Sequence, residues 1–398
     1  MGIFISCRSS EKNRRDETKE VDAVPSHALP QDDVVLGAER LTTYLPMLLN
    51  KKVGLVVNQT SEIQGVHLVD TLQNLGVNVI KVFAPEHGFR GDHSAGAVID
   101  NGFDKKTGLP IVSLYGSNKK PSAAMLQDLD VVIFDIQDVG VRFYTYISTM
   151  HYVMEACAEQ GKQVVVLDRP NPNGFYIDGP VLQKKYKSFI GMHAIPLVHG
   201  LTVGELALMI NGENWLKGGL QCDLQVVSCE NYDHQKLYAL PIKPSPNLPN
   251  MNSVYLYPYL GLFEGTNVSI GRGTDKPFQM VGRPGQEDTF SFTPRSISGV
   301  SENPKYKGQE CRGEIVLDVS DSTLFQNPKL NLAYLIHYYE TNGSKNGTYF
   351  KDFFYKLAGN AELRTHIEQG MTEDEIRNTW QADLDRYKDM RKKYLLYP

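Results

Sequence analysis

Two glutamates, Glu86 and Glu264, stand where a carboxyl group could do chemistry. Glu86 belongs to Val77–Gly91 (VNVIKVFAPEHGFRG), in which Val77, Val79, Ile80, Val82 and Phe83 read as a buried strand that stops at Ala84-Pro85. Glu86 and His87 follow at once. Pro85 fixes φ and Gly88 permits a tight turn, so the acid and the imidazole sit on a short, stiff loop. Open α/β sheets bind their ligands beyond the carboxyl ends of the strands, where this loop would lie. Glu264 falls in Phe263–Thr274 (FEGTNVSIGRGT), which has too many Gly and polar positions for a core element and suits a Glu presented at a turn. One neutral acid for the leaving oxygen and one anionic base or nucleophile are what glycoside hydrolysis requires. Plainer readings stand beside these: Glu86 and His87 satisfying backbone groups, and Glu264 as a charge at a helix N-terminus.

Further polar residues follow the other apolar runs: Asn58-Gln59-Thr60, Tyr115, Asp135 and Asp138 with Arg142 and Tyr144, and Asp168-Arg169-Asn171. Topology would bring these loops to one edge of a sheet. Asp135 or Asp138 is the fallback for the second carboxylate, although Asp135 also reads as a helix cap and Asp168-Arg169 as a structural ion pair. Arg142, Arg169 and Arg272 interest us because a guanidinium matches a carboxylate bidentately. Competing signatures fail: there is no G-x-G-x-x-G after a strand, no phosphate-binding P-loop and no G-x-S-x-G elbow. Neither a metal nor an organic cofactor is expected. Glu86, His87, Asp92 and His93 match no standard ligand spacing, and a metal-dependent hydrolase built on Glu86, His87 and His93 is an alternative.

The elements that must hold these residues are strands at Val53–Val57, Val77–Phe83, Pro110–Leu114, Val131–Ile136, Gln163–Leu167, Ile195–Val198 and Leu224–Val227. Helical patterns at His67–Leu75, Ala123–Leu129, Tyr146–Gln160 and from Thr202 to Trp215 alternate with them. Strands apolar on both faces and alternating with helices predict an α/β fold with a mostly parallel sheet covered by helices. Beyond Gly282 the alternation breaks. A strand at Glu314–Val319 and helices at Asn327–Tyr339, at Phe350–Leu357 and after Thr372 predict a second, smaller α+β domain. The expected division is a polar tether at 1–33, the first domain at 34–282 and the auxiliary domain at 283–398.

A net charge of −5 argues against a general nucleic-acid binder, and no apolar run approaches the ~18 residues of a membrane span. The five cysteines (7, 157, 222, 229 and 311) have no C-x-x-C spacing and predict no disulfide framework. Cys7, after Ile3-Phe4-Ile5-Ser6 and before a polar tail, looks like the end of a lipoprotein signal, which would anchor the chain to a membrane. The competing reading is an incidental Cys in a disordered tail.

Seven blocks in order, VGLVVNQTS, FAPEHGFRG, DVVIFDIQDVGVRFYTY, VVVLDRPNPNG, IPLVHGLTVGELA, PSPNLPN and FEGTNVSIGRGT, resemble the bacterial exo-β-N-acetylmuramidase family, formerly a domain family of unknown function. The resemblance is close from Val34 to Pro284 and looser to Pro398. It implies a Rossmann-like catalytic domain and release of terminal β-linked N-acetylmuramic acid from the non-reducing end of peptidoglycan fragments, a step in cell-wall recycling. The substrate would be a peptidoglycan-derived muropeptide or disaccharide, and the location the periplasm or cell envelope. By the same resemblance Glu86 is catalytic. On our own reading of the residues His87 orients Glu86, Glu264 is its partner, and Arg142, then Arg169 or Arg272, reads the lactyl carboxylate. A periplasmic sugar-binding protein without turnover is the alternative from a different class; its two lobes would usually both be α/β.

Overall fold

The central strands are buried from end to end: β1 (Val53–Val57) and the neighbouring Val131–Asp135 expose none of their five residues. Such strands need cover on both faces, and they get it. Leu55, Val57, Ile133, Val165 and Leu167 point into one apolar layer; Val56, Val132, Phe134, Val164 and Val166 point into the other. The computed structural model describes residues 34–86, 88–90, 102–116, 118–316, 326–342 and 347–398.

With β2 at Val79–Ala84, β3 at Gly102–Phe103, β4 at Pro110–Ser113, β5 at Val131–Asp135, β6 at Gln163–Leu167 and β7 at Leu224–Val227, the seven-stranded sheet has the order β3-β4-β2-β1-β5-β6-β7. All pairs are parallel except the edge pair β3–β4. The expected mostly parallel, helix-covered sheet is therefore present. The chain leaves β1 in one direction to β2 and β4, then crosses back to β5. The topological switch point lies between β1 and β5, where the connections part.

Helix α1 (Tyr146–Glu159) follows β5 and buries Ile147, Met150, Val153, Met154 and Cys157. Helix α2 (Val203–Gly212) starts at the capping box of Thr202 and Glu205. Ile195–Val198 is not a strand of the sheet. Its Pro196 lacks a ladder donor, and Val198 makes only isolated bridges to Val141 and Asp178. Helix α3 (Met251–Leu260) escapes a periodicity reading because it is buried nearly all round and carries Pro258; Asn250 and Ser253 cap it.

The smaller domain has a three-stranded antiparallel sheet, β8 (Met280–Arg283), β9 (Phe290–Phe292) and β10 (Cys311–Ile315), in the order β8-β10-β9. The division expected after Gly282 runs through β8. The helix read from Asn327 begins only at Ala333, since the Leu330 amide is held by Asp178 of the first domain at 2.8 Å. Helix α4 (Phe353–Ala358) packs against the turn that carries Glu264. The last helix, α5 (Glu373–Arg391), is capped by Thr372 and Glu375 as the sequence predicts. One apolar cluster runs without a break from Phe134 and Met150 to Tyr338, Trp380 and Tyr387, so the two domains share a core.

Candidate active site

Glu86 stands at the carboxyl end of β2, one residue past Pro85. Gly88 closes the turn with φ +81° and its amide on the Pro85 carbonyl at 3.1 Å. A side chain at Gly88 would have to adopt a left-handed backbone, so glycine is required there. The Glu86 carboxylate accepts from the Thr145 hydroxyl at 3.4 Å, and the Tyr146 hydroxyl reaches the Glu86 carbonyl at 3.4 Å. Burial and then the Glu86 carboxylate push the Tyr115 phenol up to about 12, so it stays a hydrogen-bond donor at neutral pH.

Two cavities meet at Glu86. The inner one, about 170 Å³, is walled by Tyr144, Tyr146, Tyr257 and Phe278 and has Glu264 and Arg272 beside Glu86. Its aromatic rings interlock edge to face, Tyr144 with Tyr146 at 5.0 Å and Tyr257 with Phe278 at 4.9 Å, which makes the wall rigid. The outer one, about 560 Å³, is open and is lined by Glu86, Tyr115, Lys119, Phe189, Phe353 and Lys356. Thr145 and Ile190 belong to both, so Glu86 sits on the threshold between a confined chamber and a wide approach.

Glu264 and Arg272 face each other across a Gly-rich turn, with Nε 2.6 Å from the carboxylate. Both side chains are about one quarter exposed, 24% and 27%, so the pair is reachable from the chamber. Burial works against the Arg272 charge; Glu264 more than restores it, and its pKa is raised. The Arg272 guanidinium also lies over the Phe278 ring at 4.9 Å. Its two terminal nitrogens have no partner among the described residues. Lys305, from the smaller domain, holds this turn from behind: its ammonium donates to the carbonyls of Phe263 (3.2 Å), Thr266 (2.7 Å) and Val268 (2.7 Å). Tyr306 adds a bond to the Asn267 carbonyl.

The structure thus brings Glu86, Glu264, Arg272, Tyr115 and Tyr144 together. Tyr144 serves as wall rather than donor to a ligand, because its hydroxyl is spent on the Pro244 carbonyl at 2.6 Å. Asn58 stands one layer back: its Oδ1 accepts from the Thr60 amide and hydroxyl, and its side chain meets the Tyr146 hydroxyl. His87, Asp92 and His93 lie outside the described residues. Among the described residues no three His, Cys, Asp or Glu side chains gather as a metal site.

Five other expected residues are not in the chamber. Arg142 is fully buried, and its guanidinium donates to the carbonyls of Pro180, Ile195, Leu357 and Ala358 at 2.6 to 3.0 Å. It is a clasp between the domains: both terminal nitrogens are spent on carbonyls, and the unpaired Nε is buried away from the chamber. Arg169 and Asp135 are buried against each other in a bidentate pair at 2.6 and 2.9 Å, so Asp135 is not a second catalytic carboxylate. Asp138 turns back to the Gly140 amide at 2.7 Å, beside His199. Asn171 bonds the Leu201 carbonyl and the Asn173 amide, bracing loops. Asp168 is likewise internal: burial raises its pKa to about 6, and Thr202 and Tyr397 both donate to it at 2.7 Å.

Sequence reasoning missed Thr145, Tyr146, Tyr257, Phe278 and Lys305. The triplet Tyr144-Thr145-Tyr146 directly after a strand was a usable signal for the first two. Tyr257 and Phe278 look like ordinary core aromatics until the fold aligns them, and nothing near Lys305 marks it out.

A mostly parallel sheet with an acid at the end of β2, facing an ion-paired second acid across an aromatic chamber, makes this an α/β protein holding the two kinds of carboxylate that glycoside hydrolysis requires. The chain belongs to the exo-β-N-acetylmuramidase NamZ family: the family's N-terminal profile matches residues 53–252 and its C-terminal profile residues 255–397. It is 40% identical over 375 residues to the peptidoglycan β-N-acetylmuramidase NamZ of Bacillus subtilis (strain 168), covering 90% of this chain and 89% of the relative. Two crystal structures of Bacteroides fragilis proteins described as DUF1343 family members share the fold. One is 48% identical with a TM-score of 0.85 and the other 31% identical with a TM-score of 0.77; each match covers 92% of this chain and 99% of the other.

Proposed function

We propose that the protein is an exo-acting glycoside hydrolase that releases terminal β-linked N-acetylmuramic acid from the non-reducing end of peptidoglycan fragments. The observation that carries this reading is the position of Glu86, between a confined chamber and an open approach. The chamber suits one terminal sugar, and the approach suits the rest of the fragment, so the bond to be broken crosses Glu86. Family membership and the B. subtilis relative support the same substrate.

In this reading Glu86 gives a proton to the leaving oxygen, with Thr145 and Tyr115 orienting the carboxyl group. Glu264, beside the guanidinium of Arg272, acts as the anion, either attacking the anomeric carbon or activating water. The free nitrogens of Arg272 receive the lactyl carboxylate, the group that distinguishes muramic acid from glucosamine. Arg272 takes this role because Arg142 and Arg169 lie outside the chamber. We assign catalysis to residues 34–282 and support of the Glu264 turn to residues 283–398. We also place the enzyme in the periplasm or cell envelope, where such substrates arise, with Cys7 as the candidate lipid anchor. No helix among the described residues is long and apolar enough to cross a membrane.

The test is release of N-acetylmuramic acid from a muramic acid-terminated disaccharide, followed by mass spectrometry, for the wild type and Glu86→Gln. Turnover that disappears in the variant while the disaccharide still binds supports the assignment. A wild type that binds the disaccharide without cleaving it would make the protein a sugar-binding protein instead.

A further inference from the structure

The catalytic reading leaves the switch point of the sheet unused, and a third cavity lies there. It has a volume of about 400 Å³ and opens between the loops after β1, β5 and β6. In open α/β folds this crevice is where ligands bind. Glu62, Gln137 and Arg169 line it from those three loops, Glu39 from the start of the chain's first domain, and Tyr238 and Ile242 from the segment that returns toward the active site.

Two of its polar groups are buried yet unspent. Arg169 is 4% exposed; its Nε and Nη2 are taken up by Asp135, and Nη1 has no partner among the described residues. Tyr238 is 6% exposed, burial raises its pKa to about 12, and its hydroxyl likewise has no partner among the described residues. Gln137 spends its amide nitrogen on the Asp138 and Pro170 carbonyls and keeps its oxygen. Glu39 uses one oxygen on the Leu36 amide, and Glu62 forms no ion pair among the described residues.

The charge balance selects the ligand. Arg169 is already neutralised by Asp135, while Glu39 and Glu62 add negative charge, so an anion is repelled. What remains is a set of two donors and three acceptors beside the aromatic face of Tyr238 and the apolar Leu36 and Ile242. Hydroxyl groups serve as donor and acceptor at once, and a sugar ring offers an apolar face to an aromatic one. We propose that this crevice is a second, non-catalytic saccharide site that holds a neutral N-acetylhexosamine unit of a glycan.

Its position gives the site a use. A further cavity of about 450 Å³, lined by Gln59, Arg90, Lys243 and Val300, shares Ile242 with the crevice and Ser245 with the catalytic chamber. The segment 242–245 therefore borders all three. A glycan held in the crevice keeps the enzyme beside the strand ends on which it acts, raising their effective concentration at the chamber.

The test uses the full chain and N,N′-diacetylchitobiose, a neutral dimer without a lactyl group, observed by fluorine NMR of fluorotyrosine-labelled protein. The Tyr238 line is the one absent from Tyr238→Phe. We expect it to shift saturably with the dimer, and to shift equally in Glu86→Gln, which separates this site from the catalytic one. Glu62→Gln should weaken the binding by about fivefold or more, as for one lost hydrogen bond to a charged group. Tyr238→Phe should keep full turnover of a small aryl muramide while losing rate on long glycan strands. A Tyr238 line that does not move, or that answers to free lysine and not to the dimer, overturns the proposal, as does binding unchanged in Glu62→Gln. These outcomes stand whether or not Glu86 is catalytic.

Discussion

Lys305 never touches the chamber, yet we expect its removal to cost most of the turnover. Among the described residues its ammonium is the only side-chain donor on the carbonyls of Thr266 and Val268, and it shares the Phe263 carbonyl with Thr266. In Lys305→Met three carbonyls lose a donor, and the two left without a side-chain donor cost about 1–3 kcal/mol each if they stay buried. Against this, several kcal/mol of desolvation of a buried ammonium are relieved. The two terms nearly offset, so the melting temperature should move by only a few degrees. The turn carrying Glu264 and Arg272, however, is no longer pinned, and a displacement of ~1 Å at a reacting group can cost about 10²-fold. The expected signature is a kcat lower by about 10²-fold with little change in KM.

The pH profile separates positioning from mere packing. Burial, and then Lys351, bring the Lys305 pKa from 10.5 down to about 7, while Glu264 opposes the shift and Arg272 adds to it. The clamp is charged below about 7 and loses its charge as pH rises through that value, so kcat should fall on that limb. Lys305→Arg stays charged and should remove the limb. Folding stability runs the other way. The unfolded lysine holds its proton more tightly than the folded one, so this group's contribution rises with pH between about 7 and 10. A Lys305→Met enzyme with wild-type kcat, or a Lys305→Arg enzyme with the same alkaline limb, would refute the reasoning.

Glu86→Gln should bind substrate normally and lose about 10²–10⁴-fold in turnover, read by single-turnover kinetics; a near wild-type rate removes Glu86 from the mechanism. Arg272→Ala should lose about 1.5–3 kcal/mol in kcat/KM for a muramic acid glycoside and little for the glucosaminide; an unchanged ratio ends its role in specificity. Arg142→Met should leave four carbonyls facing a cavity and lower stability by about 3–5 kcal/mol in urea unfolding, without changing the specificity of what remains folded. A wild-type unfolding midpoint would contradict the clasp. Dialysis against a chelator should leave activity intact, and a loss reversed by zinc would instead support a hydrolase using Glu86, His87 and His93.

The sheet was legible because a strand covered on both faces must be apolar throughout, and VGLVV, VVIFD and QVVVL are. Glu86 was legible because Pro85 and Gly88 mark where its strand stops, and Glu264 with Arg272 because both fall in one Gly-rich turn. Arg142 was not. Whether an Arg after a strand faces a ligand or turns inward depends on carbonyls supplied by residues 215 and 216 positions further on. Local sequence does not hold that information. Asp135 and Arg169 illustrate the same limit: two loops that both look functional neutralise each other once β5 and β6 lie side by side. The smaller domain was read less well because its sheet strands are short and its helix at Ala333 starts late, held off by a tertiary bond from Asp178.

Arg142 also bears on how the chain comes off the ribosome. Two of its four acceptors, Pro180 and Ile195, are made soon after it, but Leu357 and Ala358 emerge only when nearly the whole chain has been translated. Until then the nascent first domain holds a cation in an apolar setting with half its partners missing, and the Tyr338 and Trp380 side of the shared core does not yet exist. Domains usually fold as units in order of synthesis. A first unit formed in that order here would stand incompletely packed until the second arrived, with apolar surface exposed to a holding chaperone. Expressed alone, the first domain should therefore be recovered as aggregate rather than as a smaller enzyme.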